Sequence, residues 1–227
     1  MLEEGLVKLG IDSGDKVIPL LAKYIEEIEL FNPAYGLVKV KDRRELIVKH
    51  ILDSLAPLRI LQNLMKSPAA RIADIGSGAG LPGIPLAICM PGVNFTLVER
   101  MGRRAGFLRD VIAVLGLSNV NVEEKDVEEL AQKPSATGSF DLIVFRAWKP
   151  LDPVLLKGLS KLLASGGILA AYKGRRESIE EEMTQLFKTA DKGAGLSSGT
   201  RGTVSWEAIP LEVPFLEEER HLLLIRL

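Results

Sequence analysis

Apolar positions along the chain follow two rhythms. Over residues 1–65 they recur at helical spacing: Ile18, Leu21, Ile25, Ile28 and Leu30 form one set, and 46–64 holds a second. Asn32-Pro33 and Gly36 interrupt the chain between them. From about 70 to 173 the rhythm changes to short apolar runs separated by helix-like segments. The runs at 71–75, 95–99, 120–124, 140–145 and 166–172 read as strands. Regular strand–helix alternation implies parallel strands with helices on both faces. Two later runs, near 203–212 and 220–227, read as an antiparallel pair turning around Pro214–Glu219. Gly193 to Gly202, rich in Gly and Ser, reads as a mobile loop. The expected fold class is therefore α/β. It has a doubly wound, mostly parallel, Rossmann-like sheet (66–227), an antiparallel C-terminal edge hairpin and an N-terminal helical extension (1–65).

Composition narrows the picture. The chain has 227 residues, 47% of them hydrophobic, and a mean hydropathy of +0.17, which suits one well-filled core. No apolar run reaches the length of a membrane span, and Met-Leu-Glu-Glu-Gly does not read as a signal peptide. A cytoplasmic monomer with no membrane partner is expected. Two histidines and one cysteine, Cys89, are too few for a structural zinc site, so no metal is expected. Cys89 falls on the apolar face of a helix and reads as a buried filler. The net charge of −1 gives no global sign of nucleic-acid binding. Basic residues nevertheless gather after two strand ends, at Arg100, Arg103, Arg104 and Arg109, and at Arg146, Lys149, Lys173, Arg175 and Arg176. In an open α/β sheet those ends share one edge with the ligand.

The richest chemistry lies at 71–87. A strand ending in Ile75 runs into Gly76-Ser77-Gly78-Ala79-Gly80 and then into an apolar helix, with Pro82 and Pro85 in its first turn, where missing N–H groups are tolerated. Asp74 precedes the turn. An acidic residue there suits a ligand with amine or hydroxyl donors better than a pyrophosphate, which favours S-adenosylmethionine (SAM) over NAD. Gly78-Ala79-Gly80-Leu81-Pro82-Gly83 fits the bare dinucleotide pattern, but late and with a proline inside it. Glu99 ends the next strand, 23 residues after Gly76, where a carboxylate holds ribose hydroxyls. After the third strand, backbone groups of Val127 and Glu128 are placed to meet an adenine edge, with Asp126 beside them. Arg146 leaves the fourth strand as a candidate clamp on substrate or phosphate. His50 and Asp53 are one helical turn apart; they either line the site's mouth or pack helices together. Trp148 either stacks on a base or fills the core.

Together these segments resemble the family of ribosomal RNA small subunit methyltransferase G (GidB). The likeness runs from about Phe31 to Leu227. It is carried by Gly80-Leu81-Pro82-Gly83-Ile84-Pro85-Leu86, by His50-Ile51-Leu52-Asp53-Ser54, and by Arg103-Arg104 with Phe107-Leu108-Arg109. Arg146-Ala147, Lys173-Gly174, Val213-Pro214 and Glu219-Arg220-His221-Leu222 add to it. The resemblance implies a class I SAM-dependent methyltransferase acting on N7 of a guanine in 16S rRNA, either free or in the 30S subunit. It implies cofactor contacts at Asp74, Gly76, Ser77, Gly78, Gly80, Leu81, Pro82, Glu99, Val127, Glu128 and Arg146. Arg146 is also the candidate at the reaction site, and Arg103, Arg104, Lys173 and His50 are the candidates for RNA. The chain departs from the family at Gly36-Leu37-Val38, where Asn-Leu-Thr is usual, and at Asp126, where a basic residue is common. Three other readings stay open at this point. They are a class I methyltransferase with a small-molecule or protein acceptor, an NAD-dependent oxidoreductase, and a nucleotide-binding module without catalysis.

Overall fold

The computed structural model describes residues 1–12, 14–65, 67, 69–146, 150–193 and 204–227. Seven strands share one sheet: β1 (Arg71–Ile75), β2 (Asn94–Val98), β3 (Val120–Glu123), β4 (Phe140–Arg146), β5 (Leu163–Lys173), β6 (Ser205–Leu211) and β7 (Arg220–Arg226). Their order is β3-β2-β1-β4-β5-β7-β6. The first five pair in parallel, and β7 enters antiparallel between β5 and the edge strand β6. The chain builds outward from β1 through β2 to β3, then crosses to β4 on the other side. The carboxyl ends of β1 and β4 thus mark the switch point, where such sheets leave a crevice. Ile72, Ala73, Asp74 and Ile75 are all buried, as a central parallel strand requires.

Helices cover both faces. One face carries α1 (Leu2–Lys8), α2 (Gly14–Tyr35), a helical stretch over 43–55, α5 (Leu58–Leu64), α6 (Gly83–Cys89) and α7 (Gly102–Leu115). The other carries α8 (Val127–Leu130), α9 (Pro153–Leu162) and α10 (Arg176–Gly193). Period-two alternation divides each strand between the two cores. In β7, Leu222 and Leu224 join the first, whereas Leu223 and Ile225 join the second. The N-terminal helices lie in the same continuous core as β1, β2 and α7, through Leu6, Leu21, Ile25, Ile28 and Leu61. The Tyr24 hydroxyl, fully buried, donates to the Ala79 carbonyl at 2.7 Å, so α2 is tied directly to the glycine turn.

The stretch 43–55 is not one regular helix. Asp42 caps α3 (Arg43–Leu46) by accepting from the Glu45 N–H at 2.7 Å. A π-turn follows over Ile47–Leu52, and α4 (Asp53–Leu55) resumes the α pattern. Of the loop expected at Gly193–Gly202, only Gly193 lies among the described residues, as the last residue of α10.

Candidate cofactor and acceptor site

The glycine turn is held from inside by Asp74. One of its oxygens, Oδ2, accepts from the Ser77 hydroxyl at 2.6 Å and from the Gly83 N–H at 2.9 Å. Its other oxygen, Oδ1, is buried and has no hydrogen-bond partner. Burial pushes the Asp74 carboxyl up to about 6, against the lowering effect of its bonds to Ser77 and Gly83. The glycines of the turn divide by role. Gly76 and Gly78 adopt positive φ (68° and 60°), and a Cβ on Gly78 would meet only the Gly76 carbonyl, at 3.8 Å. A Cβ on Gly80 would strike Ile84 at 2.5 Å, and one on Gly83 would strike Leu97 at 2.4 Å. Gly76 and Gly78 are required by the turn, Gly83 by packing, and Gly80, with φ 93°, by both. Gly80 therefore supports the loop from behind, as do Leu81, 6% exposed within the core, and Pro82, the N-cap of α6. The cofactor contacts implied for those three residues would be made from this supporting place, at the back of the turn. Ser77 likewise turns its side chain inward.

On the β2–β3 side of the turn lies a cavity of about 180 Å³, walled by Ile75, Gly76, Glu99, Met101, Arg104 and Val127, among others. Glu99 sits at its floor. Its Oε2 accepts from the Gly78 N–H at 2.9 Å and its Oε1 from the Met101 N–H at 2.8 Å. Each oxygen keeps a lone pair for a further donor. Asp126 is the N-cap of α8 in a full capping box with Glu129, so its carboxylate is engaged in the helix start. The N–H groups of Val127 and Glu128 fall in the unpaired first turn behind it. The Val127 side chain is in the core and that of Glu128 is exposed.

Arg104 belongs to this wall, although sequence placed it toward RNA. Its Nη2 donates to the Gly36 carbonyl at 3.3 Å, and its Nε is buried without a partner. The departure at Gly36-Leu37-Val38 is absorbed locally: Gly36 takes φ 58°, and the Val38 N–H donates to Asn32 Oδ1 at 2.9 Å. Arg103 stays exposed, with its guanidinium over the Tyr35 ring at 5.7 Å.

A second cavity, of about 270 Å³, opens at the ends of β4, β5 and β7. Lys49, His50, Asp53, Arg146, Tyr172, Lys173, Arg220 and His221 are in its wall. Arg146 does not stand free there. Its Nη1 donates to Asp53 Oδ2 at 2.9 Å and, at longer range, to the Lys49 and His50 carbonyls (3.4 and 3.3 Å). Its Nη2 meets His50 Nδ1 at 3.2 Å. Burial and the adjacent Arg146 charge bring His50 down to about 4, so the imidazole is neutral and accepts from the guanidinium. Lys173 is neutralised by both Glu182 oxygens at 2.8 Å. The His50–Asp53 alternative resolves into both roles: the two residues line the cavity and also bind the helix to the sheet. Sequence reasoning gave no role to Tyr24, Tyr172, Arg220 or His221. Arg220 and His221 fell inside a quoted segment, but nothing in it fixed their partners. Trp148 and Lys149 lie outside the described residues.

The description "GidB: rRNA small subunit methyltransferase G" matches residues 17–198. The chain belongs to this family. The ribosomal RNA small subunit methyltransferase G of Treponema denticola is 36% identical over 254 residues, spanning 99% of this chain and 93% of that one. The protein of the same description from Acinetobacter baylyi is 36% identical over 225 residues, spanning 99% and 95%. Among solved structures, a SAM-dependent methyltransferase from Aquifex aeolicus superposes with a TM-score of 0.57 at 15% identity, over 89% of this chain and 98% of that one. That likeness shows the class I methyltransferase fold. Among the described residues, no helix is long and apolar enough to cross a membrane, and no group of three or more His, Cys, Asp and Glu could hold a metal ion.

SAM fits what the GidB-family fold leaves open. Asp74 Oδ1 is a buried acceptor lacking a donor, and Gly78 leaves open space where a side chain would stand. Glu99 and the first turn of α8 offer acceptors and donors suited to a ribose and an adenine.

Proposed function

We propose that this chain transfers the methyl group of SAM to N7 of a guanine in 16S rRNA, in the cytoplasm. The near-full-length likeness to relatives named ribosomal RNA small subunit methyltransferase G carries this reading. Residues 66–227 form its SAM-binding domain and 1–65 the helical extension that braces the turn. Asp74, Gly76, Gly78, Glu99, Val127 and Glu128 hold the cofactor, and the cavity at Arg146 receives the acceptor.

When bound, SAM supplies an electrophilic methyl group. Guanine N7 carries a lone pair and no proton, so the acceptor needs no general base. Neutral His50 and the ion-paired Arg146 are consistent with that requirement. The protein's work is then to position the base and exclude water. An arginine bonded to N7 would occupy the attacking lone pair. Arg146 instead braces the helical turn that forms the cavity wall, and any direct contact it makes goes to O6 or a phosphate.

The test is incubation of methyl-labelled SAM with 30S subunits or 16S rRNA from cells lacking this activity, followed by nucleoside analysis. A single labelled N7-methylguanosine is expected. Intact SAM binding with no label in RNA would move the acceptor to another class, a small molecule or a protein.

A further inference from the structure

Three neighbouring strand ends converge on one helical turn. Arg146 closes β4, Tyr172 is its registered neighbour near the end of β5, and Arg220 opens β7. All three reach residues 49–54. The Tyr172 hydroxyl donates to the Ser54 carbonyl at 2.8 Å, and Ser54 Oγ donates to the His50 carbonyl at 2.6 Å. At the centre is Asp53, 4% exposed. Its Oδ2 holds Arg146 Nη1 at 2.9 Å, and its Oδ1 holds Arg220 Nε at 3.1 Å.

We propose that Asp53 is a positioning residue that holds Arg146 and Arg220 together as one cationic group facing the RNA acceptor. The proposal rests on the rRNA-methyltransferase reading. Two guanidiniums in a partly buried cavity repel each other unless a carboxylate stands between them. Asp53 gives one oxygen to each and thereby fixes their separation. A structural ion pair needs only one arginine; the second leaves the group net positive. The two lysines of the wall are already satisfied, Lys49 by Glu45 and Glu218 at 3.1 Å each and Lys173 by Glu182. Lys49, held between two carboxylates, and Lys173, held by one, add no positive charge, so the positive part of the cavity is the triad of Asp53, Arg146 and Arg220. Arg220 also donates Nη1 to the Glu219 carbonyl at 2.9 Å. No partner for its Nη2 is found among the described residues.

The experiment compares wild type, Asp53→Asn, Arg220→Gln and the double variant, as full-length protein. It measures kcat and KM with unmodified 30S subunits or 16S rRNA, and SAM affinity by calorimetry. Asp53→Asn is expected to lower kcat/KM for RNA by about ten-fold or more while SAM affinity stays within about two-fold. The double variant is expected to lose little beyond either single one, because both act through the same pair. An RNA kcat/KM for Asp53→Asn within about two-fold of wild type overturns the proposal, as do losses that simply multiply in the double variant. A loss of SAM affinity matching the loss of activity also overturns it, since it marks a general structural role. If Asp53→Asn does not fold, Arg220→Lys decides. Lysine keeps the charge but cannot hold Asp53 through Nε while facing the cavity, so a loss like that of Arg220→Gln is expected and wild-type rates overturn the proposal. Labelling of RNA by the wild type tests the underlying reading; the ratio of variant to wild type tests the role of Asp53.

Discussion

The cavity beside Glu99 is walled by a turn, two strand ends and the start of a helix, all within residues 75–127. The cavity beside Arg146 is walled by residues from 49 to 221, gathered by ion pairs and a buried tyrosine. The first is local chain geometry, in which backbone N–H groups and a few glycines set the shape. The second depends on tertiary folding, because its shape exists only when β4, β5, β7 and the helical stretch 43–55 are all in place. A cofactor shared by many enzymes suits the first kind of construction, and an acceptor particular to one enzyme suits the second.

Substitutions at the glycine turn test the first cavity most severely. Gly83→Ala drives a Cβ to 2.4 Å from Leu97 and 2.7 Å from Asp74 Oδ2. It is expected to cost about 3 kcal/mol of stability, seen as a large fall in the urea midpoint, and to abolish SAM binding. Gly78→Ala has open space but a φ of 60°, so it is expected to cost only about 1 kcal/mol while still weakening SAM binding. Equal thermal shifts for the two would break the division between packing glycines and turn glycines.

Asp74→Asn sharpens the comparison next. Asparagine keeps an oxygen for Ser77 and Gly83 and removes the buried charge. With the native carboxyl at about 6 and the unfolded one near 3.8, the ionised form costs about 3 kcal/mol at neutral pH. That cost is relieved as pH falls from about 6 to 4, because the native state then binds the proton first. The variant is therefore expected to be no less stable than wild type at pH 7, yet to bind SAM about ten-fold more weakly, having lost an anionic acceptor. His50 acts in the opposite sense. Its native value of about 4 lies below the usual 6.5, so stability falls as pH drops across that window. In wild type the two slopes oppose each other. In Asp74→Asn the opposing slope is gone and that of His50 remains, so denaturation from pH 7 to pH 4 is expected to show a steeper acid loss. Unchanged slopes would count against the buried ionised Asp74.

The smallest effect on ligand binding is expected at the brace between α2 and the glycine turn. Tyr24→Phe leaves the Ala79 carbonyl without its 2.7 Å donor. A cost of about 1 kcal/mol is expected, with SAM affinity falling more than RNA affinity, because the brace holds the turn and not the ion-pair network. Titration of both ligands checks that ranking.

The same contrast governs how much could be read from sequence. The strands and the antiparallel hairpin were legible because period-two burial and turn residues are local signals, and the places of Asp74 in β1, Gly76 in the turn and Glu99 after β2 were legible because their spacing follows the βαβ unit. Spacing could not tell that Gly80 shares the positive φ of Gly76 and Gly78 and is also closed in by Ile84. Nor does charge show where a side chain turns. Arg104 and Lys173 read as cations for RNA; sequence gave no sign that Arg104 lines the cavity beside Glu99 or that Lys173 pairs with Glu182. Asp53 and Arg220 are 167 residues apart, and no local pattern announces that they meet.

The π-turn at 47–52 makes residue count a determinant of the site. A turn closed by i→i+5 bonds holds one residue more than an α-turn, and each residue rotates a helix by about 100°. Asp53 lies immediately after the turn, and in that rotation it meets Arg146. Deleting one residue between 47 and 52 would restore an ordinary helix and swing the carboxylate roughly a quarter-turn from both arginines. The chain would still read as helical there, with its hydrophobic composition nearly intact, while the wall of the cavity at Arg146 came apart. At this point in the fold, a gap in an alignment would matter more than most substitutions.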